Sequence, residues 1–193
     1  MERLFYEEPS IDRKEEAIDY IKEHLKYNSK INGSGGLNKH FNNYEEWLEN
    51  LEGYRNMSPT EEKVPALTYF LIRESDNKIV GMVNIRLTLN ERLKHSGGHI
   101  GYGIRPTERR KGYNKVNLYL ALEVCQKNGI EQAMLSCDKS NLGSSKTMQA
   151  LGGKLQREFV EEDGEIEQVY YIDVDDSLEK YRDIYATQIG KKK

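Results

Sequence analysis

The sequence contains little cysteine and little proline. Its two cysteines among 193 residues, Cys125 and Cys137, lack the close spacing that metal centres and redox motifs use. We therefore expect two buried free thiols, no bound metal and a reducing, cytoplasmic location. With 4 prolines, 37% hydrophobic residues and 32% charged residues, the composition is that of an ordinary, somewhat polar soluble domain.

Long apolar runs and a strong net charge are also absent. No segment approaches the roughly 18 apolar residues of a membrane span, and residues 1–10 lack the apolar core and cleavage site of a signal peptide. The net charge of -3 gives no reason to expect nucleic acid as a partner. The length suits one domain with a proper core and is short for two, so we expect a single domain over residues 1–193.

The charged residues are unevenly distributed along the chain. Between residues 105 and 115 the charged side chains are basic with one exception, Glu108. The basic residues are Arg105, Arg109, Arg110, Lys111 and Lys115. Every charged residue between Glu161 and Asp176 is acidic. That acidic run could attract a cationic amine, although a solvated hairpin followed by the start of a helix is the preferred interpretation.

Residue periodicity predicts an α/β protein. Helices are expected over 12–28 and 43–54, with the glycine-rich segment 32–36 as a loop between them, because the preceding segment is too short for a domain. The remaining predictions are strands 66–73, 79–89, 99–105 and 133–137, helices 113–128, 143–151 and 176–187, a polar loop over 89–97, and a hairpin of strands 154–161 and 167–174. This order, ααβββαβαββα, describes a mixed sheet with helices on its faces.

The most informative segment joins a strand to a helix through a basic loop. The strand is 99–105, and the helix begins at Tyr113 directly after the Arg-Arg-Lys-Gly of 109–112. The free N–H groups of a first helical turn and the helix dipole favour an anion, and Gly112 lets the backbone approach it closely. We expect these N–H groups to hold the pyrophosphate of a nucleotide-like cofactor. The alternative on spacing alone is a solvated basic turn.

Two familiar phosphate-binding motifs do not fit this segment. No run in the chain matches a Walker loop, with its Gly-Lys-Ser/Thr ending. A dinucleotide fingerprint that began at Gly101 would have Pro106 where its third glycine belongs. The spacing therefore indicates an anion site of a different kind.

Two motifs resemble those of the GNAT superfamily of acyl-CoA-dependent N-acyltransferases. Arg109-x-x-Gly112, after the strand 99–105, resembles motif A of that family. Residues 136–153 resemble motif B, in which a strand is followed by an asparagine, here Asn141, and by a helix that ends in glycine. The two motifs occur in the family's order and together are much more specific than either alone.

The resemblance covers about residues 66–174 and, more loosely, the N-terminal helices within 12–54. It implies a GNAT-like α/β (α+β) fold, in which a mixed, mostly antiparallel twisted sheet is flanked by helices on both faces. The C-terminal helix at about 176–187 would complete the domain. The resemblance also implies acetyl-CoA as co-substrate, without a metal.

The resemblance assigns cofactor contacts to several residues. The backbone of Ile104 would bind the pantetheine arm like an added strand, the loop N–H groups would hold the pyrophosphate, and the Asn141 side chain would contact the pantetheine. Ser144 and Ser145 would lie near the cofactor. The expected cofactor-binding residues are Ile104, Arg105, Arg109, Arg110, Lys111, Gly112, Tyr113, Asn114, Asn141 and Ser144.

The chain departs from the family pattern at two positions. Asn114 stands where motif A usually has glycine or alanine, and Met148 stands where many members carry a tyrosine as general acid. Methionine cannot donate a proton, so Ser145 or water is the expected substitute. The thiolate of CoA is a fair leaving group, and its protonation need not be enzymic.

The expected reaction also needs a base for the amine. His99 is the first candidate, because its intrinsic pKa suits the task; the alternative is that it packs within the sheet. Glu91, in the loop after the second strand, is a weaker candidate. Cys137 lacks partners for covalent catalysis. The acceptor walls are expected in segments 29–43 and 90–98.

The leading interpretation is an enzyme, an N-acetyltransferase that moves an acetyl group from acetyl-CoA to a primary amine of a small molecule or peptide by direct attack in a ternary complex. A non-catalytic acyl-CoA-binding sensor module is the alternative. An RNA- or ribosome-associated acetyltransferase is disfavoured by the net acidity. We expect no nucleic-acid or membrane partner, and a homodimer is plausible through the C-terminal strands or helix.

Overall fold

The computed structural model describes residues 2–191, which form six α-helices and seven strands. The helices are α1 (Lys14–Lys26), α2 (Tyr44–Arg55), α3 (Glu91–His95), α4 (Tyr113–Lys127), α5 (Leu142–Ala150) and α6 (Val174–Tyr185). The strands are β1 (Leu4–Glu7), β2 (Ala66–Arg73), β3 (Lys78–Arg86), β4 (Ile100–Ile104), β5 (Gln132–Asp138), β6 (Lys154–Val160) and β7 (Ile166–Asp173). The domain expected over 1–193 also includes Met1, Lys192 and Lys193, which lie outside the described residues. Across residues 2–191, no helix has both the length and the apolar character to cross a lipid bilayer.

The strands form two antiparallel sheets. Their order is β1-β2-β3-β4 in the first sheet and β5-β7-β6 in the second. Typical registers place Val83 opposite Tyr102 in the first sheet and Ser136 opposite Val169 in the second. The predicted α/β fold with a mostly antiparallel sheet is confirmed, and the structure adds a division of that sheet between β4 and β5.

Helices cover both faces of the first sheet. On one face, α1 and α2 pack on side chains such as Phe70 and Met82, and the Trp47 ring lies 6.1 Å from the Phe70 ring. On the other face, α4 packs on residues such as Val83 and Leu122 joins the same core. Neighbouring strand residues point to opposite faces, so Met82 and Val83 belong to different cores.

The predicted start of α2 is confirmed in its capping contacts. The Asn43 Oδ1 accepts a hydrogen bond from the Glu46 N–H at 3.3 Å, and the Asn43 Nδ2 donates to the Glu46 carboxylate at 2.8 Å. These bonds satisfy a helix N–H group that would otherwise lack a partner. The cap holds α2 where Trp47 enters the core.

The prediction missed β1. Leu4–Glu7 pairs antiparallel with β2, with Leu4 opposite Arg73. Four residues are too few to show a period, and an isolated strand of that length gains little by itself. The strand forms because the edge of β2 offers unpaired backbone groups.

The prediction of a polar loop over 89–97 was also incomplete, because the loop contains α3. The Asn90 side chain accepts a hydrogen bond from the Leu93 N–H at 3.0 Å and caps this one-turn helix, while Leu93 is buried. β3 accordingly ends at Arg86 rather than at Leu89. The other predicted elements are present with ends shifted by at most two residues, a usual error at element ends.

Candidate active site

β4 and β5 meet at one junction and then separate. The His99 N–H donates to the Met134 carbonyl at 2.7 Å, and the Gly97 N–H donates to the Ser136 hydroxyl at 2.8 Å. Gly98 has a φ of +63°, and a side chain there would collide with the Met134 carbonyl oxygen. Beyond this junction no ladder joins the two strands within residues 2–191, so a cleft opens between the sheets.

The backbone of β4 presents alternate residues to this cleft. The Arg105 N–H donates to the Val80 carbonyl of β3 at 2.9 Å. In an antiparallel ladder alternate residues face the partner strand, so the N–H and C=O groups of Ile100, Tyr102 and Ile104 face away from β3. This open edge can pair with an extended chain of amides.

Arg109 lies along the open edge of β4. Its Nε donates to the Ile104 carbonyl at 3.2 Å, and its Nη2 donates to the Ser29 hydroxyl at 2.6 Å. The structure therefore brings together Ile104 and Arg109, two of the expected cofactor-binding residues. It also connects them to the segment after α1.

The loop before α4 leaves consecutive N–H groups unpaired. Arg110 and Gly112 adopt left-handed φ angles of +66° and +83°. The N–H groups of residues 110–114 form no hydrogen bond with any residue in the range 2–191. Nothing lies within 4 Å of the point where a Gly112 Cβ would be. This arrangement is an open concave row of donors at a helix N-terminus, which suits a phosphate.

Glu108 gathers the cations around this loop. Its buried carboxylate accepts hydrogen bonds from Arg73 at 2.7 Å, Lys78 at 3.2 Å and Lys111 at 2.7 Å. Burial raises the pKa of Glu108, but the hydrogen bonds from these cations outweigh burial and bring the pKa to about 2. Lys111 is thus held at the loop by an ion pair, whereas Arg110 is exposed.

Arg105 is turned away from the cleft. The residue is 1% exposed, and its side chain donates to Asp19 at 2.6 Å, to Glu23 at 3.0 Å and to the Ile79 carbonyl at 3.0 Å. These bonds attach the end of β4 to α1 and to β3. The sequence grouped Arg105 with the cofactor-binding residues, and the structure places its guanidinium elsewhere.

Motif B places Asn141 and Ser144 at the start of α5. The Asn141 Oδ1 accepts from the Ser144 N–H at 3.1 Å and caps the helix. The Asn141 Nδ2 forms no hydrogen bond with the described residues and is a free donor. The Ser144 hydroxyl lies 2.9 Å from the hydroxyl of Tyr102, so β4 and α5 are joined across the cleft.

Ser145 and Met148 lie on the buried side of α5. The Ser145 hydroxyl donates to the Leu142 carbonyl at 3.3 Å, and the residue is 5% exposed. Met148 is fully buried in the core beside α4. The structure therefore does not bring either side chain to the cleft edge formed by Ile104.

Asn114 contacts α5. Its Nδ2 lies 3.4 Å from the Thr147 hydroxyl, and it also bonds to the Asn117 side chain at 3.5 Å. The larger side chain at this motif A position therefore fills space between the two helices. Its backbone N–H stays in the row of free donors. Tyr113 donates only its N–H to that row, because its ring is buried and its hydroxyl accepts from Arg73 at 3.3 Å.

His99 is held in one tautomer. Its Nδ1 accepts a hydrogen bond from the Met134 N–H at 3.0 Å, so the ring proton is on Nε2. Burial, followed by the positive charge of Arg86, lowers the pKa of His99 to about 4. The neutral ring can accept a hydrogen bond only at Nδ1, and the Met134 N–H already occupies that nitrogen. Glu91 is on α3, with its side chain 90% exposed and paired with Lys94 at 2.8 Å.

The loop between α1 and α2 lies over β4. A Cβ at Gly33 would stand 2.6 Å from the Gly101 carbonyl oxygen, so only glycine permits this packing. Lys30 continues the loop to β5, where its Nζ lies 2.7 Å from the Asp138 carboxylate. The loop that was expected to form an acceptor wall thus extends from one side of the cleft to the other.

Sequence reasoning missed Arg86 and Tyr102 as cleft residues. Arg86 ends β3, and its Nη1 donates to the Gly98 carbonyl at 3.0 Å and to the Gly97 carbonyl at 3.4 Å. One sequence signal pointed to this region: the two glycines of β4, Gly101 and Gly103, leave one face of that strand without side chains, so a neighbouring side chain can lie over it. Only the register of β3 with β4 shows that Arg86 reaches this face.

Comparisons with known proteins agree with this geometry. The model of the Acetyltransferase (GNAT) family matches residues 33–152. The fold is similar to that of the Microcin C7 self immunity acetyltransferase MccE in complex with acetyl-CoA and AMP, at 17% identity and a TM-score of 0.61 over 88% of this chain and 91% of that chain. It is also similar to a ribosomal-protein-S5-alanine acetyltransferase from Vibrio fischeri, at 15% identity and a TM-score of 0.63 over 91% and 96%.

A third similar structure is the spermidine/spermine N-acetyltransferase SpeG from Vibrio cholerae, at 14% identity and a TM-score of 0.64 over 92% of this chain and 99% of that chain. At these identities the likeness concerns the fold. A search of curated proteins finds no match. The family match covers more than half of the chain, including motif A and all but the last residue of motif B. The protein therefore belongs to the GNAT family of acetyltransferases, which are acetyl-CoA-dependent acyltransferases.

Proposed function

We propose that the protein transfers the acetyl group of acetyl-CoA to a primary amine of a small molecule or peptide. One observation carries this proposal: the unpaired N–H groups of residues 110–114 adjoin the open backbone edge of β4. The first feature suits a pyrophosphate and the second suits a pantetheine arm. Two of the similar structures are named for amine acceptors, a ribosomal-protein alanine and spermidine or spermine, which supports an amine here.

The residues present fit coenzyme A. Gly112 leaves the loop open where a side chain would fill it. Ile104 offers its backbone N–H to a pantetheine amide, while its carbonyl accepts from the Arg109 Nε at 3.2 Å. The free Asn141 Nδ2 is a further donor for the pantetheine. When bound, acetyl-CoA supplies the activated acetyl thioester.

In the proposed ternary complex, the amine nitrogen forms a bond to the acetyl carbon, and the bond from that carbon to sulfur breaks. The sulfur leaves with the electron pair as the CoA thiolate, and the proton of the amine passes to water. The cleft-facing N–H groups of Ile100 and Tyr102 are preorganised donors for the carbonyl oxygen. Holding both substrates together provides much of the remaining acceleration.

The proton-transfer roles expected for His99 and Ser145 need rearrangement of the described hydrogen bonds. His99 would have to release the Met134 N–H before its Nδ1 could accept a proton. Ser145 would have to leave the Leu142 carbonyl. We therefore favour a positioning role for His99, which holds β4 to β5 at the head of the cleft, and water as the proton carrier.

Direct attack is preferred to a covalent acetyl-enzyme. Burial, together with the charge of Glu167, raises the pKa of the Cys137 thiol to about 11. The thiol is then neutral near pH 7 and a poor nucleophile.

The buried thiols also suit the proposed cytoplasmic location. We extend the proposal to a homodimer through the C-terminal strands or helix. Sedimentation velocity would test this oligomeric state.

Calorimetry and thiol release test the proposal together. We expect CoA and acetyl-CoA to bind the folded protein, and acetyl-CoA to release free thiol when a suitable amine from a broad panel is present. Tight binding without turnover on the whole panel would favour the non-catalytic sensor module instead. No heat of binding at millimolar CoA would refute both functions.

A further inference from the structure

Two consecutive residues of the loop between α1 and α2 are tied to opposite sides of the cleft. On the β4 side, the Ser29 hydroxyl accepts from the Arg109 Nη2 at 2.6 Å, and the Arg109 Nε donates to the Ile104 carbonyl at 3.2 Å. On the β5 side, the Lys30 Nζ donates to the Asp138 carboxylate at 2.7 Å. A continuous line of contacts therefore joins the last residue of β4 to the last residue of β5.

This line of contacts lies on the face of the cleft away from α4. The loop covers β4 where the point of a Gly103 Cβ is 2.8 Å from the Asn32 carbonyl oxygen, and α4 packs on the opposite face of that sheet. On β5, Cys137 belongs to the core that includes α4, so strand alternation points Asp138 to the other face. The N–H groups of residues 110–114 stand at the start of α4. A cofactor held there leaves the opposite face for the acceptor amine.

The loop backbone is held on both sides of Lys30, whereas the Lys30 side chain is exposed. The Ser29 N–H donates to the His24 carbonyl at 2.9 Å, which fixes the loop to the end of α1. Gly33 rests on the backbone of Gly101, since a Cβ at Gly33 would be 2.6 Å from the Gly101 carbonyl oxygen. The Lys30 side chain is 74% exposed. Rotation of this side chain therefore breaks the line of contacts without moving the loop.

Acidic groups hold the Lys30 ammonium at this place. The hydrogen bond from Lys30 to Asp138 and the charge of Asp138 raise the pKa of Lys30, and the charges of Asp163 and Glu165 act in the same direction. Both of these acids belong to the turn between β6 and β7. The Lys30 amine is therefore protonated at neutral pH and is not itself a nucleophile. An ion pair this exposed is weak and opens readily.

We propose that Lys30 is a gate residue, whose bond to Asp138 closes the acceptor face of the cleft and breaks to admit the amine. The inference rests on the proposed acetyl transfer and adds a controlled entrance to it. The closed gate also limits the access of water to the thioester. Water that enters would bond through its oxygen to the acetyl carbon, and the bond from that carbon to sulfur would break. The products would be acetic acid and the thiol of CoA.

The ion pair is tested first in the free protein, without CoA. The N-hydroxysuccinimide ester of acetic acid labels neutral lysine amines, and mass spectrometry would give the labelling rate at each lysine. Asp138→Asn removes the group that holds Lys30 protonated, so labelling of Lys30 should become about two- to fivefold faster. Lys26, which is exposed at the end of α1, is the internal reference and should not change. Equal labelling rates at Lys30 in the variant and the wild type would overturn the inference.

Hydrolysis of acetyl-CoA without an acceptor then measures the gate. We expect Lys30→Gln and Asp138→Asn each to release the CoA thiol about two- to fivefold faster than the wild type. The double variant should be no faster than either, because both substitutions break the same contact. Lys139→Gln is the matched control, since it breaks an ion pair of similar exposure with Glu158 that stays within the second sheet. Unchanged hydrolysis in both test variants, or an equal rise in the control, would overturn the gate.

Calorimetry separates a gate from a cofactor contact. The Kd of CoA should stay within about twofold of the wild-type value in Lys30→Gln, because the gate lies on the acceptor face. A weaker affinity for CoA without faster hydrolysis would make Lys30 a cofactor contact and overturn the inference. Failure of the wild type to bind CoA would refute the proposed function and the gate with it. Normal CoA binding with unchanged hydrolysis in the variants would overturn the gate alone.

Discussion

The carboxylate of Glu108 accepts a hydrogen bond from the Lys111 Nζ at 2.7 Å, within the loop that precedes α4. The single acid of a basic segment thus holds one of its cations in place and also binds Arg73 and Lys78. The loop shape depends on this group as well as on Gly112. Charge counting along the sequence overestimates the free positive charge at the site.

Glu108→Gln should destabilise the protein, because three cations would lose a buried partner. We expect the free energy of unfolding to fall by about 2 kcal/mol, less than for a fully buried pair because the lysines are partly solvated. Urea unfolding at pH 7 would measure it. Glu91→Gln is the matched control, since Glu91 is exposed and has one exposed partner. Equal effects of the two substitutions would contradict this account of Glu108.

The same carboxylate predicts a pH dependence. The pKa of Glu108 is lowered to about 2 in the folded state, below its value in the unfolded chain, so the unfolded state binds more protons between these two values. Its contribution to stability is complete above about pH 4.5 and is lost as the pH falls towards 2. The difference in unfolding free energy between wild type and Glu108→Gln should therefore shrink on acidification over that range.

Gly112→Val should abolish CoA binding, because a branched side chain resists the left-handed φ of +83° and would stand in the open cradle. Gly129→Val is a matched control: its φ is +72°, nothing lies within 4 Å of its Cβ position, and it follows the far end of α4. Both variants should lose similar stability in thermal unfolding. Calorimetry should show CoA binding to the Gly129 variant alone. Binding to both variants would contradict a CoA site at the Gly112 loop.

His99→Asn tests the state of the imidazole. The pKa of His99 is lowered to about 4, below its unfolded value of about 6.5, so the unfolded state binds more protons between those values. The stability that His99 contributes is present above pH 6.5 and is lost as the pH falls to about 4. Urea unfolding at pH 7 and pH 5 should therefore show a smaller drop in the variant than in the wild type. An equal fall in unfolding free energy from pH 7 to pH 5 in the variant and the wild type would contradict a lowered pKa for His99.

Gly98→Ala tests the junction at the head of the cleft. A methyl group there would collide with the Met134 carbonyl, so β4 must move away from β5. We expect a loss of about 2 kcal/mol or more in unfolding free energy, as for other strained glycine positions. The hydrogen bonds of His99 to Met134 should also weaken, and amide exchange at both residues would show it. Unchanged exchange would mean that the junction tolerates a side chain.

The loop before α4 has features that the sequence alone predicts. The row of donors at 110–114 follows from a local rule, because a helix start always has unpaired N–H groups and glycine always permits a left-handed φ. The start of α2 at Asn43 follows from a local rule of the same kind. Such features are determined by residues a few positions apart, so the sequence alone predicts them.

The hydrogen-bond partners of side chains, by contrast, depended on the tertiary fold. The sequence grouped Arg105 with the cofactor-binding loop, but α1 supplies Asp19 and Glu23 and turns it away. His99 is the candidate base in the sequence, and its Nδ1 accepts a hydrogen bond from the Met134 N–H, a group 35 positions away. These outcomes depend on groups far away in the chain, and no local spacing encodes them.

The sequence by itself therefore determined the α/β class, the order of the main elements, the row of unpaired N–H groups before α4, and the asparagine that begins α5. The tertiary structure alone decided the strand β1, the cleft between β4 and β5, and the bonds of the Arg86 side chain to the Gly97 and Gly98 carbonyls. The physical reason is the separation along the chain of the groups that interact. Helix starts, turns and alternation are set by neighbouring residues, whereas pairing, tautomers and unneutralised charges are set by what the fold places opposite each group.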